Sequence, residues 1–176
     1  HTLNQWKELK QLLRYSSDMP QPTSIKASTF FTKEQQTLIR NAIKEAEAST
    51  SGEIRVHIET SLSEDVLDRA AWIFNKIGMH RTEERNGVLF YLAVSNRKFA
   101  VIGDGGINAK VPDEFWNDIR EVIEKYFSNE KFAEGLVEGI IMTGSQLKEY
   151  FPHKANDINE LPDDISFDDT FRSGIE

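Results

Sequence analysis

The chain contains no cysteine, which removes disulfide frameworks, thiolate metal sites and cysteine nucleophiles together. It has no apolar run near the roughly 20 residues that a membrane-spanning helix needs, and no secretory-signal core. A soluble, cytoplasmic protein is the expectation. Basic charge is in deficit, with 21 Lys and Arg against 29 Asp and Glu and a net charge of −8. Nucleic acid is therefore disfavoured as a partner, since a phosphate backbone asks for a basic face. Surplus carboxylates suit hard cations instead. The familiar catalytic signatures are also missing. There is no Gly-x-Ser-x-Gly, no His-Glu-x-x-His, no Gly-Lys-Ser/Thr loop and no EF-hand. His80 and His153 stand in polar surroundings without ligand spacing.

What is present supports one folded domain with extensions. The 176 residues are 39% hydrophobic and include eleven Phe, enough for a real core. Residues 1–30 read as an extension, native or left by an expression tag: Leu3, Trp6, Leu9 and Leu12 share one helical stripe, and Asp18 to Ser24 reads as a linker. The domain proper is expected over 31–151. Thr32-Lys33-Glu34-Gln35 is a capping-box pattern before a helix whose apolar face is Leu38, Ile39, Ala42, Ile43 and Ala46. Glu53 to Thr60 alternates strictly and predicts a half-exposed strand. Ser61-Leu62-Ser63-Glu64 is expected to cap a second helix that Gly78 closes. Pro112-Asp113-Glu114 opens a third helix, and Ser128 a fourth, in which Gly135 and Gly139 would allow close approach of a neighbour. Beyond Pro152, residues 152–176 carry Asp157, Glu160, Asp163, Asp164, Asp168 and Asp169 against little positive charge, and read as an extended or disordered acidic tail that Ile165, Phe167 and Phe171 would pin.

The segment from Arg85 to Gly106 is the most informative. A turn signal opens a nearly continuous apolar run, a polar turn from Ser95 to Lys98 follows, and a second apolar run ends at Gly103-Asp104-Gly105-Gly106. Two buried strands joined by a hairpin thus deliver a carboxylate into a glycine loop. Strand, helix, strand predicts a parallel pair by crossover, and the hairpin adds an antiparallel strand. The fold class is α/β: a mixed, mostly parallel central sheet of about four strands, covered by helices on both faces.

Two readings of the glycine loop stand side by side. Asp104 at the strand end and Asp113 and Glu114 at a helix start converge on a cation, with backbone carbonyls completing an oxygen shell. Otherwise Asp113 and Glu114 only favour the positive end of their helix. The polar face of the first strand, Glu53, Arg55, His57 and Glu59, reads as a solvated surface, with a general base or metal ligand at His57 as the lesser alternative; Glu53, just after Ser51-Gly52 at the strand's entry, is the exception and is expected to have a turn role.

The ordered set Ser51-Gly52-Glu53-Ile54-Arg55-Val56, Asn86-Gly87-Val88-Leu89, Asn96-Arg97-Lys98-Phe99, Val101-Ile102-Gly103-Asp104-Gly105-Gly106-Ile107-Asn108 with Pro112-Asp113, and Phe132-Ala133-Glu134-Gly135-Leu136 resembles the TPM domain family over about 31–151. That family includes thylakoid-lumen photosystem-repair proteins, bacterial proteins and an animal receptor-regulating protein. The resemblance implies helices around a mixed sheet and a divalent-cation site, typically Ca²⁺ with Mg²⁺ as the alternative, beside the glycine loop. It carries Asp104 and Asp113 over as ligands, with Glu114 and the carbonyls near Gly103 next. It also implies either a binding and assembly module for a protein partner or a metal-dependent acid phosphatase; an anionic substrate near so many acids needs a cationic counterweight, for which Lys110 and Arg97 are the candidates in the sequence. Asn86 replaces an Asp common in the family, and Asn108-Ala109-Lys110 replaces a Glu-Gly stretch. Both departures weigh more against phosphatase chemistry than against cation binding.

Overall fold

A computed structural model describes residues 25–155, 160 and 165–173. The stripe and linker read in 1–24 lie outside them. In chain order the elements are α1 (Ala27–Phe30), α2 (Lys33–Ala48), β1 (Glu53–Glu59), α3 (Val66–Lys76), β2 (Gly87–Ala93), β3 (Lys98–Gly103), α4 (Gly105–Asn108), α5 (Phe115–Phe127), α6 (Phe132–Leu147) and β4 (Ile165–Asp168).

The four strands form one sheet in the order β3-β2-β1-β4. β1 runs parallel to both β2 and β4, and β3 is antiparallel to β2. β2 is buried along its whole length, which explains its continuous apolar sequence: each face meets a helical layer. Val88, Phe90 and Leu92 join Ile54, Val56 and Ile58 against α1, α2, α5 and α6, while Leu89, Tyr91 and Ala93 join Ala100 and Ile102 beneath α3.

Local chemistry explains most boundaries. Thr32 and Gln35 close the expected capping box. α3 starts later than the Ser61–Glu64 pattern suggested, because Asp65 is the residue whose carboxylate accepts from Leu67 and Asp68 N–H at 3.0 and 3.2 Å. Ser128 ends α5 rather than opening α6. Its hydroxyl bonds back to the Lys125 carbonyl, and Glu130 at φ 58° turns the chain into the next helix. Leu38, expected inward on α2, is 57% exposed. Gly135 and Gly139 do admit a close neighbour, which is α5: a Cβ at either position would come within 2.8 Å of Phe127 or Ile123.

Both flanks of the expected 31–151 unit contribute structure. Ala27 is fully buried, and its N–H donates to Thr60 Oγ1 at 2.9 Å. The acidic segment supplies β4, which pairs Val56 with Ile165 and Glu59 with Asp168. Ile165 is buried and Phe167 packs partly against the core, whereas Phe171 is 72% exposed.

Candidate functional site

The strand registers decide which residues share an end of the sheet. Glu53 lies opposite Gly87, and Val88 opposite Gly103. The Gly103–Gly106 loop therefore stands at the same edge as the entries to β1 and β2, beside Ser51, Asn86 and Glu53. The β2–β3 hairpin that carries Arg97 is at the other edge, where Ala93 pairs with Lys98. Arg97 therefore does not serve the glycine loop. Lys110 lies with its ammonium 4.5 Å over the Phe151 ring.

Within the loop, Gly103 is small because Trp116 fills its side-chain space; a Cβ there would sit 2.4 Å from the indole. Asp104 is 5% exposed. It caps the helical turn α4 through Gly105 N–H at 2.7 Å, and both its oxygens accept from Arg85, from Nε at 2.8 Å and from Nη2 at 3.0 Å. Arg85, the residue that holds Asp104 most directly, carries no signal in the sequence that marks it as part of this loop. Its backbone sits at φ 51°, a left-handed geometry uncommon away from glycine, and its carbonyl accepts from Gly106 N–H at 2.8 Å. A Cβ on Gly106 would come 1.9 Å from the Glu84 carbonyl oxygen, so the glycine is required by this close approach. Asp113 and Glu114 lie exposed at the start of α5, and the Glu114 side chain makes no cap hydrogen bond.

The rest of this edge is polar. Asn86 is 1% exposed. Its Nδ2 donates to Ser51 Oγ at 3.2 Å, and its Oδ1 is buried with no hydrogen-bond partner among the described residues. Ser51 Oγ donates to Glu84 at 2.8 Å, and Lys154 Nζ stands 3.6 Å from the same carboxylate. The available donors are all oxygens, which suits a hard cation. No three His, Cys, Asp or Glu side chains converge on a common point among the described residues.

The opposite edge carries a second polar cluster, and here the expected solvated face of β1 is corrected. Glu59 is 0% exposed and His57 only 5%. Arg69 from α3 grips Glu59 with two bonds of 2.9 and 2.7 Å, and Tyr91 donates to it at 2.5 Å. Arg172, just beyond β4, approaches it to 3.6 Å. Burial pushes the Glu59 carboxyl up, but hydrogen bonds from Arg69, His57 and Tyr91 outweigh it and lower the group to about 2. Burial and the Glu59 charge push the Tyr91 phenol far up. His57 Nδ1 lies 2.6 Å from Ser166 Oγ on β4. The alternating pattern was real, but the polar side faces ion pairs rather than water.

A mixed, mostly parallel sheet between helical layers, with an acidic glycine loop at the edge where β1 and β2 begin, defines a small α/β domain of one recognisable class. The sequence model of the TPM domain matches residues 25–146, and the chain belongs to that family. Its fold matches the solution structure of the BA42 protein from the psychrophilic bacterium Bizionia argentinensis with a TM-score of 0.75 and 47% identity, over 78% of this chain and 94% of that one. Two more distant likenesses show the fold alone. The N-terminal domain of a protein from P. gingivalis matches at 21% identity and TM-score 0.56, covering 72% of this chain and 83% of that one. The N-terminal domain of cg2496 from Corynebacterium glutamicum matches at 15% and 0.54, covering 93% and 95%. Comparison with curated proteins gave no match. No helix among the described residues is long and apolar enough to cross a membrane.

Proposed function

We infer that this TPM domain binds a hard divalent cation, Ca²⁺ before Mg²⁺, at the glycine-loop edge and acts as a binding or assembly module. The observation that carries the reading is a buried carboxylate, Asp104, at the same end of the sheet as a buried amide oxygen, Asn86 Oδ1, that has no hydrogen-bond partner among the described residues. Burying an acceptor without a donor is costly, and a cation or an ordered water relieves that cost. Asp104, Asp113, Glu114, the Gly103 carbonyl and Asn86 are the candidate ligands. A bound ion would neutralise these acids and order the surface between residues 103 and 114 for a protein partner.

A calcium titration followed by amide NMR, with magnesium as the comparison, tests this. Saturable shifts confined to 84–87 and 103–114 are expected, and Asp104→Asn should abolish them while leaving the rest of the spectrum in place. An unchanged spectrum up to millimolar calcium would end the cation reading.

A metal-dependent phosphomonoesterase at the same edge is the second reading, and the cations Arg85 and Lys154 favour it, because a phosphoryl group needs positive neighbours. Hydrolysis of a phosphomonoester that is lost both with chelator and in the Asp104→Asn variant is its test. Turnover that survives either change removes it.

A further inference from the structure

We propose that Arg85 is a resident counter-cation of the glycine loop, which a divalent ion must displace, and that it thereby sets both the affinity and the charge selectivity of the site. This rests on the cation reading above. The guanidinium bonds both oxygens of Asp104, at 2.8 and 3.0 Å, so a metal approaching that carboxylate meets a full positive charge already in place and competes with it for the same oxygens. Asp104 is the buried partner and Arg85 the exposed one, with side-chain exposures of 6% and 56%. Releasing Arg85 therefore moves a side chain that is already largely hydrated.

The backbone beneath it is fixed. Arg85 N–H donates to the Thr82 carbonyl, and its own carbonyl accepts from Gly106. The movement is thus confined to the side chain, and the loop need not refold. Exchange replaces one positive charge with two. A monovalent ion brings no more charge than the guanidinium it would expel, and it lacks the second hydrogen bond of the fork. A divalent ion forms no hydrogen bond either, but it doubles the charge facing the carboxylate, which makes the site a discriminator by charge. Gly105 N–H continues to hold Asp104 in place at 2.7 Å, so the carboxylate stays oriented after Arg85 leaves.

The test uses the full chain, with CaCl₂ as the titrant and NaCl as the monovalent comparison. Binding is read by calorimetry and by the Arg side-chain Nε–Hε resonances. In the wild-type protein the Arg85 Nε–Hε signal should move on calcium addition along the same binding curve as the Gly105 and Gly106 amides. Arg85→Gln should tighten calcium by about fivefold, the worth of a partly exposed ion pair. Arg85→Lys, which keeps the charge and loses the fork, should fall between the two and serves as the comparison if Arg85→Gln folds poorly. Calcium shifts at 103–114 with unchanged or weaker affinity in both variants would overturn the counter-cation role and leave the cation site standing. An absence of calcium shifts in all three proteins would remove the site, and the role of Arg85 with it.

Discussion

Glu59 is the residue whose chemistry is most constrained. It is fully buried, and its charge is held by Arg69, Tyr91 and the approach of Arg172. Replacing it with Gln leaves the buried Arg69 guanidinium with only the half-exposed Glu64 carboxylate, 3.6 Å away, as counter-charge, which costs about 3 kcal/mol for a broken buried pair. Chemical denaturation of Glu59→Gln should show a loss of that order. The pH dependence has a definite sign. The carboxyl is lowered in the fold from 4.5 to about 2, so its contribution is complete above about pH 4.5 and declines as pH falls toward 2. The wild-type protein should lose stability through that window, and Glu59→Gln should lose less there. Equal slopes would show that other carboxylates dominate acid unfolding. Asp168 reinforces the trend: burial raises its carboxyl, but bonds from Arg172 and Thr170 lower it further.

At the scale of elements, two glycines separate a tolerable crowding from an intolerable one. In Gly139→Ala the new methyl meets Ile123 side-chain carbons at 2.8 Å, and overpacking of about 1–3 kcal/mol is partly offset by about 1 kcal/mol of helix propensity. In Gly106→Ala the methyl meets the backbone oxygens of Glu84 and Arg85 at 1.9 and 2.6 Å, which cannot rotate away. Thermal melts should place Gly106→Ala well below Gly139→Ala, and the reverse order would mean that the glycine loop yields. The sequence showed β1, β2, β3 and four of the helices, because their hydrophobic periods are local and their lengths adequate. It did not show that α4 is a helical turn capped by Asp104, since the same glycines also suit an open loop. Nor did it show that Glu53, Arg55, His57 and Glu59 lie on a covered face, because a strand facing water and one facing ion pairs alternate alike. Asp104 was legible as a buried-strand terminus. Arg85 was not, because its partner is set by how the 82–87 turn packs against the glycine loop.

For the whole molecule, β4 matters more than its four residues suggest. Removing residues 165–176 deletes the burial of Ile165, the Thr60–Asp168 backbone bond and the Ser28–Asp169 pair. A loss of about 3 kcal/mol follows from one buried aliphatic side chain and a few hydrogen bonds. Hydrogen exchange should quicken at β1 residues 56–59 and at Thr60 while remaining slow in α5 and α6. Unaltered exchange in β1 would mean that β4 does not hold that edge. Asp168 and Ser166 escaped notice as strand residues because their partners lie across the chain rather than beside them. His57 and Ser166 are 109 positions apart in sequence.

That separation also fixes an order of events during synthesis. β1, β2 and β3 are complete once residue 103 has been made, so their pairing can begin early, while β4 is translated last among the strands. At about 5–20 residues per second, the ribosome takes several seconds to travel from β3 to β4. Throughout that interval β1 presents an unpaired edge, the kind of surface on which nascent chains join one another. The acidic stretch that follows is therefore the strand that ends the exposure.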